Sequence, residues 1–254
     1  MDLSVNGAKI YFRIPFFGTY INITQTAISL IAVTVLLIVA AYFLGRNLKK
    51  RKPGGWQIIT EKLVSMLYGM VEDTMGKHNA KFAPYIGTLF LSSMIGSLLG
   101  MTQIFRSTTA DLSVTLAWAL VTSVMVWASN IKNFGFKAWL KGFTEPIVVM
   151  TPMNIVSEIA QPISLAFRHF GNVAGGGVLT SLVYAALAAA SNLLFGWLPG
   201  LLGNIPFLQA GIPAFLSIYF DLFSGFVQAF VFCLLTMVYV GTANPPPEEL
   251  PEKK

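Results

Sequence analysis

Long apolar runs separated by short polar segments make up most of the chain. Residues 23–45 form one such run, and residues 83–105 and 111–131 form two more with a short connection between them. A helix needs about 20 predominantly apolar residues to cross the hydrocarbon core of a bilayer. The pattern predicts a span over 23–45 and a two-span hairpin over 83–131. Asp111 is interpreted as an N-terminal helix cap, with a place in an ion path as the alternative.

Residues 55–80 follow a different pattern, with apolar side chains at three- and four-residue spacing. Trp56, Ile59, Leu63 and Met66 share one helical face, and the charged residues lie on the other. An amphipathic helix of this kind lies along a membrane surface instead of crossing it. The segment is predicted to lie on the cytoplasmic surface, with a partner-binding helix as the competing interpretation.

Two prolines, Pro146 and Pro152, interrupt residues 144–161, which are predicted to form a broken helix near the cytoplasmic face. The next helix is expected to begin at Pro162, because the missing N–H of proline costs nothing in a first helical turn. Glu158 precedes this start and is either an interfacial carboxylate or a residue at the inner end of an ion path.

Arg168 lies in the apolar stretch that follows, and it is the only Lys or Arg between Lys141 and Lys253. Its guanidinium cannot avoid the cost of burial by losing a proton. At the centre of a membrane helix that cost is about 2.5–3.5 kcal/mol on insertion scales. Such a residue normally faces a polar partner or a wet cavity on an ion path. The alternative is a structural arginine that is paired with one carboxylate or that extends from a helix end to the membrane surface.

The helical face around Arg168 is small or polar over about three turns. Its members lie three, four or seven residues from the arginine: Ser164, Gly171, Asn172 and Gly175. Small residues at this spacing let another surface approach closely. His169 points about 100° away from this face, and it is interpreted as a packing or interfacial residue and not as a proton carrier.

The last apolar segment, about 213–241, carries a second polar stripe at helical spacing, formed by Asp221, Ser224, Gly225 and Gln228. The helix of Arg168 and the last helix run in opposite directions, so their stripes are expected to meet at mid-membrane. In this unit, over 162–241, Arg168 is predicted to lie near Gln228, with Asn172 further out towards Asp221.

These positions lead to a hypothesis of two half-channels separated by a fixed positive charge. An outer passage is predicted along Asp221, Asn172 and Gln228, and an offset inner passage along Ser157, Glu158 and Ser164. Arg168 would block direct ion flow between them. The chain has no continuous relay of carboxylates, so the hypothesis requires a moving ion carrier.

The composition is that of a membrane protein, since only 11% of the 254 residues are charged and soluble domains carry about 25%. Of the 17 Lys and Arg residues, thirteen lie in segments assigned to the inside and three in segments assigned to the outside. By the positive-inside rule, this split predicts five crossings with the N-terminus outside and the C-terminus in the cytoplasm. Residues 1–22 are then an outer segment, and residues 242–254 are expected to be a disordered cytoplasmic tail.

The expected fold is therefore an all-α polytopic membrane protein with about five crossing helices and one amphipathic surface helix. Intramembrane enzyme chemistry finds little support. His78 and His169 lack metal-ligand spacing, His169 has no evident serine partner, and Cys233 is the single cysteine. The basic residues behind the net charge of +6 lie in the loops, where they indicate membrane topology and not a nucleic-acid partner. No cofactor is expected.

The segment 162–172, P-I-S-L-A-F-R-H-F-G-N, resembles the signature of subunit a of the rotary (F-type) ATP synthase, P-x-S-L-x-x-R-x-F-G-N. The segment 228–239, Q-A-F-V-F-C-L-L-T-M-V-Y, is similar to the last helix of that family. Residues 152–158 and 111–117 also resemble family segments. The likeness extends from about residue 20 to residue 241.

The resemblance implies a non-catalytic stator subunit whose last two helices are long and face a rotating c-ring. Arg168 would be the essential charge facing the ring carboxylates, Asn172 and Gln228 outer-channel residues, and Ser164 an inner-side residue. The subunit would couple H⁺ or Na⁺ flow to ATP synthesis in a bacterial plasma (inner) membrane. Its implied partners are the c-ring, the peripheral-stalk b subunits and the lipid bilayer.

The chain departs from the family pattern at two positions near the path. Gly177 stands where many members have an acidic residue or histidine, nine positions after the arginine. Asp221 stands where the last helix usually carries a histidine or an acid. It is therefore expected to be the only titrating residue of the outer passage. Gln161 replaces the Lys or Arg that often precedes the proline. A stand-alone secondary transporter or ion channel is the alternative function.

Overall fold

The structure is a computed structural model that describes residues 10–16, 19–46, 48–49, 54–101, 105–195 and 218–249. Within these residues, two strands and seven α-helices follow one another: β1 Ile10–Phe16, β2 Thr19–Thr24, α1 Gln25–Gly45, α2 Gly55–Met75, α3 Ala83–Met101, α4 Leu112–Phe134, α5 Phe136–Gly142, α6 Thr151–Phe195 and α7 Ser224–Thr242. Short 3₁₀ turns join several of them, and a π-helical turn, Ile218–Phe223, leads into α7.

Five helices of the described chain are long and apolar enough to cross a membrane. They correspond to α1, to α3 with the preceding 3₁₀ turn, to α4, to α6 with the preceding 3₁₀ turn, and to α7. Apolar side chains cover much of the surface of these helices, as in α1 with Ile38 and Phe43. The predicted all-α polytopic fold with five spans is confirmed.

The N-terminal segment, for which no secondary structure was predicted, contains two strands, β1 and β2, that pair as an antiparallel hairpin. The two strands read I-Y-F-R-I-P-F and T-Y-I-N-I-T, and such alternating aromatic and β-branched residues favour strands. Thr24 ends β2 and caps α1 by accepting a hydrogen bond from the amide of Ala27 at 3.4 Å. The first span therefore begins at Gln25.

The amphipathic segment forms α2, which ends at Gly76 with a positive φ of 82°. Val71 and Met75 are buried against the rest of the protein, whereas Trp56 is 80% exposed. The packed end of α2 lies beside α7 and α3. The helix thus contributes to the core at one end and leaves an apolar face uncovered at the other.

The predicted disorder from residue 242 onward is wrong for the start of the tail. Asn244 is buried, and its carbonyl oxygen accepts a hydrogen bond from the Asn79 amide at 2.8 Å. The Asn133 amide donates to the Ala243 carbonyl at 2.8 Å. These amide contacts join the ends of α4 and α7 to the turn after α2. The tail beyond residue 249 lies outside the described residues.

The predicted interruption within 144–161 is present only before Thr151, and the predicted helix start at Pro162 is wrong, because α6 runs without interruption from Thr151 to Phe195. The chain instead turns between Phe143 and Met150, and Pro152 occupies the first turn of the helix, where its missing N–H is harmless. At 1.5 Å per residue, the 45 residues of α6 extend about 68 Å. That is about twice the 30 Å hydrocarbon thickness, so a straight α6 must be strongly tilted to stay in the bilayer.

The core lies where α3, α4, α6 and α7 meet, with the end of α2 packed beside them. Its fully buried members include Ile86 on α3, Ala119 on α4, Ala166 on α6 and Phe232 on α7. The four helices therefore place one side of α6 in the core and leave the other side exposed.

Candidate functional site

Arg168 lies on the exposed side of α6. Ser164, Gly171 and Asn172 are exposed on the same side of the helix. Within the described part of the chain, Arg168 has neither a salt bridge nor a hydrogen bond. The structural alternative, an arginine paired with one carboxylate of its own chain, therefore has no partner among the described residues. The chain presents a permanent cation on an open helix face.

His169, the next residue, is fully buried on the opposite side. Its Nε2 and the hydroxyl of Ser93 on α3 are hydrogen-bonded at 2.9 Å. Its ring packs edge-on against Phe232 of α7 at 5.0 Å and Trp118 of α4 at 6.1 Å between centroids. Because successive helical residues are about 100° apart, this anchoring of His169 determines the direction in which Arg168 points.

The serine partner of His169 was missed in the sequence, where no such serine was evident. Ser93 is an isolated hydroxyl in an apolar run, and local spacing gives no sign that it lies beside a residue 76 positions later. The pair does not make a hydrolase site, since both residues are buried and aromatic rings enclose the histidine. The interpretation of His169 as a packing residue is confirmed.

The polar stripes of α6 and α7 meet through Asn172 and Gln228. The Asn172 amide donates a hydrogen bond to the Gln228 side-chain oxygen at 2.5 Å. Gln228 is buried, and its own side-chain amide nitrogen has no hydrogen-bond partner among the described residues. Gln228 was expected beside Arg168, but its hydrogen-bond partner is the residue one helical turn later.

Asp221 lies in the π-helical turn that precedes α7. Such turns are rare and occur frequently at functional sites. Seven residues separate Asp221 from Gln228, which corresponds to about 10 Å along a helix. The side chain of Asp221 lies outside the described part of the structure, so its predicted role stays a prediction.

Asp111 caps α4, as one of its two interpretations predicted. Its Oδ1 accepts a hydrogen bond from the Ser113 amide at 3.0 Å. Its Oδ2 accepts another from the Thr26 hydroxyl at 2.6 Å. The carboxylate therefore joins the starts of α1 and α4.

Glu158 lies at the other end of the polar face of α6, where a cavity of about 720 Å³ opens. The indole N–H of Trp127 on α4 donates a hydrogen bond to its carboxylate. The cavity is lined by the end of α4, by α5 and by the start of α6: Asn130, Phe134, Ala138, Trp139, Lys141, Gly142, Phe143, Glu145, Asn154, Ser157 and Glu158. Ser164 is exposed and does not line it.

The lining of the cavity includes both apolar and polar residues. Asn154 donates hydrogen bonds to the carbonyls of Phe143 and Glu145 at 2.8 and 3.0 Å. Lys141 and Glu145 form an exposed ion pair at 3.6 Å. The structure thus brings Ser157 and Glu158 to one polar hollow, and Asn172 and Gln228 to another place along α6, with Arg168 between them in the chain.

Comparisons with known proteins point to one family. The family model described as ATP synthase A chain matches residues 26–241. The relative named ATP synthase subunit a 1 from Crocosphaera subtropica is 33% identical over 224 residues, which is 88% of each chain. The sodium ion specific ATP synthase subunit a of Propionigenium modestum is 32% identical over 266 residues, covering 93% of this chain and 84% of that one.

A double-mutant cycle tests the anchoring of His169. We expect Ser93→Ala and His169→Leu each to destabilise the fold, because each leaves a buried polar partner or cavity behind. Their combined loss should fall short of the sum by about 0.5–1.5 kcal/mol, the range for a buried hydrogen bond. The measurement is reversible unfolding of the purified protein in mixed detergent micelles.

The matched control pairs Ser93→Ala with Cys233→Ala, since the Cys233 thiol bonds the Ile86 carbonyl and not Ser93. This cycle should give a coupling near zero. A coupling near zero in the Ser93 and His169 cycle as well would contradict the anchoring.

Proposed function

Because this chain belongs to the ATP synthase subunit a family, we propose that Arg168 is the fixed charge dividing its ion path. Family membership makes the chain an ion-translocating membrane subunit of an F-type ATP synthase. Within that activity, Arg168 keeps an outer and an inner passage apart, and ions cross between them only on the carboxylates of a rotating c-ring.

The observation that carries the proposal is the exposed position of Arg168 on a membrane helix, without an ion-pair or hydrogen-bond partner among the described residues. A guanidinium in a lipid-facing position is costly, so a partner outside this chain has to supply negative charge or water. The surrounding surface is suited to such a partner. A methyl group added at Gly171 or Gly175 would meet nothing within 4 Å, so the face is open for a ring of helices to slide past.

The positive charge of Arg168 has two effects in this proposal. It attracts each ring carboxylate that has released its ion, and it stabilises the ionised form of that carboxylate. It also repels a free cation that moves along the polar face of α6. A lysine-like point charge would give weaker geometric control than the planar guanidinium, which can hold a carboxylate through two parallel N–H donors.

The outer passage is proposed to run along Asp221, Gln228 and Asn172. The hydrogen bond from Asn172 to Gln228 supports this route, because it joins the polar stripes of α6 and α7 one turn from Arg168. Gln228 also keeps a buried amide nitrogen without a partner in the described chain, which is the kind of group that an ordered water satisfies. Asp221 supplies the titrating carboxylate, since position 177 is glycine.

The inner passage is proposed to start at the cavity that Ser157 and Glu158 line and to continue along Ser164 to the ring. The cavity volume and its amide and carboxylate lining support a hydrated entrance. Trp127 holds the Glu158 carboxylate at its wall. Ser164 lies one turn before Arg168 and Asn172 one turn after it, so the two passages end on either side of the charge.

The proposed setting is a bacterial plasma membrane with the N-terminus outside and the C-terminus in the cytoplasm. The excess of basic residues in the loops after α1 and α4 supports this orientation. The peripheral-stalk b subunits are the second proposed protein partner. The chain has no catalytic part of its own in this proposal, and the stand-alone transporter is not favoured by the family match.

Arg168→Ala is expected to abolish ATP-driven pumping, because no fixed charge then separates the passages. The measurement is acidification or sodium uptake in membrane vesicles that carry the whole complex, with assembly checked by the amount of each subunit. Lys137→Ala is the matched control, since Lys137 is an exposed cation of α5 that does not line the cavity, and this variant should pump at the wild-type rate. Wild-type pumping by an assembled Arg168→Ala complex would refute the proposal.

Asp221→Asn is expected to lower pumping several-fold, because it removes the titrating group of the outer passage. Adding Gly177→Asp should restore part of the activity, since a side chain at position 177 meets nothing within 4 Å. Gly177→Asp alone should pump near the wild-type rate. Full pumping by Asp221→Asn without the second change would show that the outer passage uses another group.

A further inference from the structure

The hairpin of β1 and β2 has one apolar and one polar face. Residues directly opposite in an antiparallel pair share a face, and alternate positions along a strand change faces. The apolar face holds the pairs Phe12–Ile23, Ile14–Ile21 and Phe16–Thr19, and the other face holds Arg13–Asn22 and Pro15–Tyr20. The hairpin is therefore amphipathic, with five large apolar residues on one face and a basic residue on the reverse side.

The apolar face is only partly covered where its side chains are described. Phe12, at one end of that face, is 65% exposed, and its partner Ile23 is half-buried. Exposing a large apolar side chain to water costs about 25 cal/mol per Å². A two-stranded hairpin is also marginally stable by itself in water. Both facts indicate that something apolar covers this face.

Continuity of the chain indicates what covers it. β2 ends at Thr24 and α1 begins at Gln25, with no linker between them, and α1 is the most apolar of the five spans. The six residues of β2 extend about 20 Å at most. The hairpin thus cannot move far from the membrane surface at which α1 enters the bilayer.

We propose that the hairpin lies flat on that membrane surface, with the apolar face at positions 12, 14, 16, 21 and 23 in the lipid. The edges of a two-stranded sheet carry unpaired backbone groups, which cannot enter the hydrocarbon core. The hairpin therefore rests at the level of the headgroups. On the reverse face, which points towards water, the long side chain of Arg13 can still reach lipid phosphate, and Tyr20 lies at the depth that tyrosines favour.

Lipid binding at this place would set the depth of α1 in the bilayer. The Thr26 hydroxyl, two residues after the hairpin, donates to the Asp111 carboxylate at the start of α4. The hairpin would thus position two spans at one surface. The inference does not depend on the ion path or on which side of the membrane is outside.

Site-directed labelling of the whole complex in phospholipid vesicles tests the proposal. Cys233 is buried, and Cys233→Ala provides a background without native thiols in this chain. Phe12→Cys and the matched control Asn22→Cys, on the opposite face of the same hairpin, each receive an environment-sensitive fluorophore. We expect the probe at position 12 to emit at shorter wavelength and to be quenched about two-fold more by doxyl-labelled lipid than the probe at position 22. Aqueous iodide should show the reverse preference.

Equal quenching of both positions by iodide would overturn the proposal, because the hairpin would then stand in water. A probe at position 12 that neither iodide nor doxyl lipid quenches would also overturn it, since another subunit would then cover the face. Wild-type ATP-driven pumping by both labelled complexes ensures that the comparison is made on folded protein.

Discussion

A permanent charge on an exposed helix face, with no partner among the described residues, is the constraint on which the structure depends. Arg168 cannot lose its proton, and no described residue of the chain neutralises it. The helix that carries it must therefore be held firmly from the other side. His169 provides that hold, because its buried ring is bonded to Ser93 and packed against two further helices. Two adjacent residues of α6 thus have different roles: His169 holds the helix in the core, and Arg168 stays exposed.

The length of α6 follows from the same constraint. A helix of 45 residues places polar groups before and after the arginine on one continuous face, from the cavity at Glu158 to the hydrogen bond at Asn172. Because α6 is too long to stand upright in a bilayer, a tilted α6 would present this face along the membrane instead of directly across it. In the proposed function, the two passages would then reach the charge from different sides and remain offset.

Local sequence patterns predicted the features that depend only on residues close to one another in the chain. Apolar runs of membrane length marked the five spans, and helical spacing identified the open face around Arg168. Contacts between distant segments were not predictable, because no spacing rule pairs Ser93 with His169 or ties Asn244 to the turn after α2. The helix start predicted at Pro162 was wrong, since a membrane helix tolerates an internal proline that a helix of a soluble protein would avoid.

The most direct test of the fixed charge is the passive ion leak of membranes from which the catalytic head has been removed. The decay of an imposed ion gradient would be followed in vesicles with wild-type protein and with Arg168→Ala, at equal amounts of assembled membrane sector. If Arg168 separates the two passages, the variant should leak faster, because ions then pass between them without ring rotation. An unchanged leak together with wild-type ATP-driven pumping would mean that Arg168 is a structural residue and that the barrier lies elsewhere.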